Sequence, residues 1–391
     1  MQQVSIPLRR VLTILTAIVL SVASLAVGLF TADLPFWQRA LRLPLDQDEI
    51  YLPVAVIGAD RASVPPPLAA DAPASEALEF AARRARDAGS RALLVQRGDQ
   101  LLLSRYFGVD DEHTLLPADV IARPVTAMAL GLAVRDGQPS LDGPVSQYLE
   151  EWEGEPRGRI TLRQLLEETS GLESGGDTRG FPYRSPWHEP AKLPAFATSR
   201  GVRMLLGNDF ESSALGFRLE HEPGGFHNRS PANAQLAAVI VERTTGEPYE
   251  SFVDQKIWRP LGAGFAELQL DRRAGMPAAH CCWRATARDM MRVLGLLGTD
   301  GVQAGHAVLP AGWAREMARA SRVDADSGMQ VTRLNIDGVD ALEVKDDSGS
   351  AFWIFPQREL AILDITNPGA NALDDLPGLL LKGTGVSAPG P

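Results

Sequence analysis

Lysine and cysteine are scarce in this chain of 391 residues, and each shortage removes a class of function. Only four lysines occur, Lys192, Lys256, Lys345 and Lys382, and none has a serine three residues before it. A Ser-x-x-Lys pair works because both side chains then share one helical face, where the amine can take the hydroxyl proton. That pair is absent. There is also no Gly-x-Ser-x-Gly turn to present a nucleophilic serine. The two cysteines, Cys281 and Cys282, are adjacent, with no Cys-x-x-Cys or His-x-x-x-His grouping beside them. No metal site or cofactor is expected, and neighbouring cysteines rarely form a disulfide, so a buried structural pair is the expectation. A net charge of −11 leaves no basic face for nucleic acid.

What the chain does have is enough apolar residues, 45%, to bury one large or two intermediate cores. Arg9 and Arg10 precede an uncharged run from Val11 to Phe30. As a helix that run is about 30 Å long, the thickness of a hydrocarbon core. Residues 1–31 therefore read as an anchor in the inner membrane, with the arginines in the cytoplasm and the body in the periplasm. Ser24-Leu25-Ala26 keeps a cleaved signal peptide open as the alternative. Residues 32–74, with Pro65-Pro66-Pro67, read as an extended lead. The body is expected over residues 75–383, and residues 384–391 form a tail.

The body opens with a helix from Ala77 to Ala88, capped by Ser75 and stopped by Gly89. Ala92–Val95 and Leu101–Tyr106 flank Arg97-Gly98-Asp99, a hairpin signal. Ala351–Phe355 and Leu360–Thr366 form a second hairpin around Pro356-Gln357-Arg358-Glu359, and a short helix closes the body near Leu376–Leu381. The sequence between the hairpins is mostly helical. The expectation is an α/β (α+β) architecture: an antiparallel sheet from both hairpins, the terminal helices on one face, and an inserted mainly helical part from Leu130 to about Val331.

Several segments carry a resemblance. They are Met128–Asp142 with Val145-Ser146-Gln147-Tyr148-Leu149, Arg159–Leu166 followed by Thr169-Ser170-Gly171-Leu172, Pro223-Gly224, Ile240–Gly246, Ile257–Ala263, and His280-Cys281-Cys282 with Ala285–Asp289. Together, in this order, they resemble the β-lactamase-related serine hydrolases, the superfamily of class C β-lactamases and DD-peptidases. The 6-aminohexanoate-dimer hydrolase-like branch is the most similar. The resemblance implies the fold just described and three catalytic motifs.

Carried over position by position, none of the three motifs keeps its chemistry. Anchored on Val125-Thr126-Ala127, the nucleophile position is Val120 and the general-base position Arg123. Pro124 is acceptable if the helix begins there. Anchored on Pro223-Gly224 and Asn233-Ala234-Gln235-Leu236, the tyrosine position is Arg229, or Asn228 with one residue deleted, and the motif's third residue is Pro231. The third motif, on the edge strand, falls on Asp347-Ser348-Gly349, where the glycine alone remains for a close approach. Valine offers no lone pair, and a guanidinium at neutral pH accepts no proton. Of the remaining hydroxyls, Thr126 reads as a core residue and Ser170 as part of a structural turn. A Ser348–His227 pairing stays open.

Two functions then compete. One is a membrane-tethered, catalytically silent relative that binds a small anionic or peptide-like ligand, or serves as a scaffold, in the bacterial envelope. The other is an active amide or ester hydrolase with relocated catalytic groups. Arg123, Arg229 and Asp347 should converge with Val120 around one cleft. There they either pair internally, Asp347 plugging the old site, or offer two guanidinium forks to an anion.

Overall fold

Why a helical run should split two strand-rich ends is clear in the computed structural model of the chain, where the two ends meet in one sheet. The structure describes residues 33–42, 52–58, 76–135, 140–175, 198–367, 370 and 373–384, with isolated positions before residue 33. Nearly all of Val11–Phe30, Ser75, Pro65-Pro66-Pro67 and the tail 385–391 lie outside the described residues. Among the described residues no helix is long and apolar enough to cross a membrane.

The strands in chain order are β1 (Val54–Ile57), β2 (Ser90–Arg97), β3 (Gln100–Tyr106), β4 (Leu116–Pro117), β5 (Ala266–Gln269) and β6 (Trp283–Ala285). Then come β7 (Val302–Gln303), β8 (His306–Ala307), β9 (Thr332–Ile336), β10 (Val339–Lys345), β11 (Ala351–Phe355) and β12 (Leu360–Thr366). The longer helices are α1 (Leu34–Arg42), α2 (Glu76–Ala88), α3 (Asp119–Arg135), α4 (Pro231–Thr245), α5 (Ala287–Gly295) and α6 (Leu376–Gly383).

The main sheet runs β3-β2-β12-β11-β10-β9 and is antiparallel throughout. Both expected hairpins lie in it, joined through β12 and β2 with Leu363 opposite Leu94. Alternation along a strand sends neighbours to opposite faces. Leu93, Val95, Trp353, Phe355 and Ile362 pack with the terminal helices α2 and α6. Ala92, Leu94, Phe352, Ile354 and Leu363 face the large core under α3, α4 and α5. Because β11 and β12 are buried on both faces, their sequences read as apolar runs, interrupted in β12 by Asp364.

Four features depart from the sequence reading. The lead is not wholly irregular: α1 packs Phe36 and Ala40 against Val202 and Leu206, and β1 pairs with β5. Two strands of a small sheet, β5 and β6 in the order β1-β5-β6-β4, lie within the part expected to be mainly helical. The β9–β10 hairpin was also not foreseen, although Asp337-Gly338 between its strands is the usual chemistry of a tight hairpin turn. Finally, Cys281 and Cys282 are bonded to each other, where separate thiols were expected. Cys282 takes a positive φ of 68°, a conformation the adjacent backbone adopts as it enters β6.

One buried carboxyl breaks the apolar run of β12. Asp364 is 2% exposed, opposite Leu93 on the face under α2 and α6, and its Oδ1 has no partner. Burial pushes its carboxyl up to about 6. The folded state thus holds a proton that the unfolded chain gives up near pH 4. This contribution to stability is complete below that pH and is lost as the pH rises through about 6. Asp364→Asn should therefore gain stability over the unmodified protein by about 2 kcal/mol between pH 4 and pH 8. Urea melts at both pH values check this; an unchanged difference contradicts it.

Candidate functional site

The site is built where the start of α3 meets the loop before α4 and the turn before β11. Asp119 opens α3, and the helix continues unbroken through Pro124, its sixth residue. The proline is therefore accepted inside the second turn, not at the start of the helix. Pro124 has no N–H to give the Val120 carbonyl one turn back. Val120 itself is 1% exposed and belongs to the large apolar core, not to the rim of an opening. Val120 is therefore a packing residue.

Arg123 follows three residues later with its side chain 14% exposed. Its partner is not Asp347 but Glu168, whose Oε1 lies 3.5 Å from Nη1; Nε lies 3.5 Å from the His280 carbonyl. Glu168 was missed by the sequence reading, and it is the hub of the site. Its Oε2 accepts from the Ser230 N–H at 3.0 Å and Asn233 Nδ2 at 2.5 Å, and its Oε1 from Gln330 Nε2 at 2.9 Å. The carboxylate thus sits at the first turn of α4, where the helix N-terminus favours negative charge. It directly precedes Thr169-Ser170-Gly171 and takes a φ of +56°.

Arg229, in the loop before α4, reaches Asp347 with Nη1–Oδ1 at 3.5 Å, and both side chains are about half exposed. Burial, then the nearby Arg229 charge, lower the Arg123 pKa, while Glu168, Asp347 and Asp119 act against them. Arg229 and Asp347 are thus in contact, and both charges act on Arg123. The internal plug does not form as a tight bridge.

The third motif is also repositioned. Asp347-Ser348-Gly349 lies in the turn between β10 and β11, both inner strands, whereas the edges of the sheet are β3 and β9. Gly349 has φ +100°, so the turn itself requires glycine, and no approach of a ligand is needed to explain it. Asp346 organises this turn. Its Oδ1 accepts from the N–H groups of Ser348, Gly349 and Ser350 and from the Ser348 hydroxyl at 2.6 Å, while Oδ2 is buried without a partner. Burial raises the Asp346 pKa despite these donors. Ser348 thus faces Asp346 and not His227.

Two further titratable groups border the site. Asp119 accepts from the N–H of Cys282, and burial followed by the nearness of Asp346 pushes its carboxyl up to about 7. His280 is 7% exposed, with Nδ1 3.3 Å from Gln235 Oε1 and Nε2 unpartnered. Because Gln235 Oε1 already accepts from the Ala279 N–H, Nδ1 is the protonated nitrogen. Burial and then Arg123 push this imidazole down to about 3, so it is neutral at pH 7.

The remaining hydroxyls are structural. Thr126 Oγ1 is fully buried, 2.7 Å from the Tyr249 hydroxyl and 2.9 Å from the Ala122 carbonyl. Ser170 donates to Asn233 Oδ1 at 2.7 Å. Among the described residues no group of three or more His, Cys, Asp or Glu side chains is arranged to hold a metal ion.

Comparison with known proteins bears on the family and the fold. The chain is 26% identical over 238 residues to a 6-aminohexanoate-dimer hydrolase of Paenarthrobacter ureafaciens, covering 59% of this chain and 57% of that protein. It is 30% identical over 219 residues to Esterase EstB of Burkholderia gladioli, covering 50% of this chain and 52% of that protein. The chain thus spans about half the length of these curated relatives. A solved structure from Bacillus anthracis, provisionally described as a 6-aminohexanoate-dimer hydrolase, superposes with a TM-score of 0.68 at 18% identity. That superposition covers 85% of this chain and 90% of the other, and it shows the fold alone. The family model described as Beta-lactamase matches residues 76–375, most of the chain, and the protein belongs to the β-lactamase family.

Proposed function

We propose that this protein is a catalytically silent member of the β-lactamase family that uses the site around Arg123, Arg229 and Asp347 to bind a ligand or partner. The observation that carries the reading is the pair Val120 and Arg123: the first is enclosed in the apolar core, and the second is a guanidinium beside Glu168. Neither can begin an acyl transfer, because nucleophile and proton acceptor are both missing. Ser170 and Ser348 donate to fixed acceptors and have no imidazole or amine base at hand.

The test is turnover of p-nitrophenyl butyrate and nitrocefin by the purified body. The expected rate is that of buffer, and saturable turnover would overturn the reading. The second reading, an amide or ester hydrolase with relocated groups, draws support from the names of the relatives, one a hydrolase and one an esterase. Its candidate is Ser348 beside Asp346. In that case Ser348→Ala abolishes the turnover.

We also propose that the body is exported and held at the inner membrane by Val11–Phe30, on the strength of the uncharged run behind Arg9 and Arg10. In spheroplasts, external protease should digest the body while it stays with the membrane fraction. A protected body rules out export, and a mature protein beginning at Val27 shows cleavage instead.

A further inference from the structure

The chain's two cysteines are neighbours, and they are bonded to each other. Such a bond closes a ring that contains the peptide unit between the two residues, so the backbone there is no longer free to turn. Cys282 sits in this ring at φ +68°, a region that residues other than glycine disfavour. Both cysteines are partly exposed at the edge of the large core, within reach of a small reagent.

The ring lies beside the start of α3. Asp119, Arg123 and Thr126 are four and three residues apart and share one face of that helix. Residues 279–282 run along this face and meet each of them. The Ala279 carbonyl accepts from Thr126 Oγ1 at 3.1 Å, the His280 carbonyl lies 3.5 Å from Arg123 Nε, and the Cys282 N–H donates to Asp119 Oδ1. On its other side the Cys282 carbonyl accepts from the Gln269 N–H at 3.2 Å, which ties the segment to β5. The direction of the Cys282 N–H relative to its carbonyl depends on φ, so both bonds hold together only while φ stays positive.

We propose that the Cys281–Cys282 bond is a thiol-exchange site that latches residues 279–282 onto α3, and that a small dithiol opens it. One thiolate of the dithiol attacks a cysteine sulfur and breaks the S–S bond, forming a mixed disulfide. Its second thiolate then attacks the reductant's own sulfur in that mixed disulfide and frees the cysteine. Two electrons and two protons pass to the cysteines, which become thiols, and the dithiol becomes a cyclic disulfide. With the ring open, Cys282 turns to negative φ and cannot keep Asp119 and Gln269 at once. As regulation of the site around Arg123, the latch rests on the reading of that site as a binding site. Its opening is measured on the chain alone, without ligand or substrate.

The experiment is hydrogen–deuterium exchange of the full chain with and without dithiothreitol, with free thiols counted in the same samples by dithiobisnitrobenzoate. Because the chain has only these two cysteines, the count reads the bond directly. Untreated protein should show no thiol and treated protein two. Exchange over residues 279–283 should then quicken about tenfold, the factor by which a residue other than glycine disfavours this conformation, while residues 351–355 of β11 stay unchanged. Cys281→Ser should exchange at the faster rate with no reductant present; the unmodified chain carries the test if that variant does not fold. Two thiols in untreated protein, or none after treatment, overturn the exchange site. Unchanged exchange over residues 279–283 once both thiols are free overturns the latch, and so does an equal rise in β11, which marks general unfolding. None of these outcomes bears on serine-probe labelling, so the silent reading stands or falls separately.

Discussion

Val120→Ser combined with Arg123→Lys is expected to hydrolyse p-nitrophenyl butyrate no faster than the unmodified protein. The pair restores the two side chains whose loss is most obvious, yet the site around them has changed with them. A serine at position 120 would sit where the side chain is enclosed in the core, with its hydroxyl short of both solvent and substrate. A lysine at position 123 would meet Glu168, which keeps an ammonium protonated and so unable to serve as base. Arg229 supplies no phenol to pass the proton to a leaving group. Asp346 and Asp347 place negative charge near the turn where an oxyanion needs donors. A positioned general base is worth about 100- to 10,000-fold, so initial rates separate the outcomes easily. A rise of that size in the double variant would show that the two substitutions alone silence the enzyme.

The largest expected loss of stability is at Glu168. It and Arg123 are both largely buried, and removing one partner of such a pair leaves an uncompensated charge at a cost of about 3 to 5 kcal/mol. Glu168→Ala also strips acceptors from Ser230, Asn233 and Gln330. Arg123→Met combined with Glu168→Gln should lose less than Glu168→Ala alone, because it removes the cation and keeps an acceptor for those donors. Chemical denaturation of the three proteins checks the order. If the combined variant is the least stable, Arg123 contributes more than its charge pairing explains.

The fold was legible in the sequence because its strongest signals are local. Gly89 stops a helix, Arg97-Gly98-Asp99 turns a hairpin, and the apolar runs of β11 and β12 can only be inner strands. The small sheet was not legible, since β1 and β4 are short and are paired by strands far along the chain. At the site, Arg229 meets Asp347, one of the pairings the sequence left open, while Arg123 turns to Glu168, which no motif suggests. Whether Arg123 chooses Glu168 or Asp347 depends on where two turns meet, and a glutamate inside Leu165-Leu166-Glu167-Glu168 looks like an ordinary surface residue. The same limit applies to Asp119 and His280. Their significance lies in burial beside other charges, which no spacing along the chain reveals.

The central claim is that this site cannot form an acyl-enzyme, and intact-protein mass spectrometry after exposure to a fluorophosphonate or a fluorescent penicillin tests it most directly. The account predicts an unshifted mass after long incubation, with a competent family member labelled alongside as control. Stoichiometric labelling mapped to Ser348, or to any serine in the cleft, would contradict it and make that hydroxyl the nucleophile.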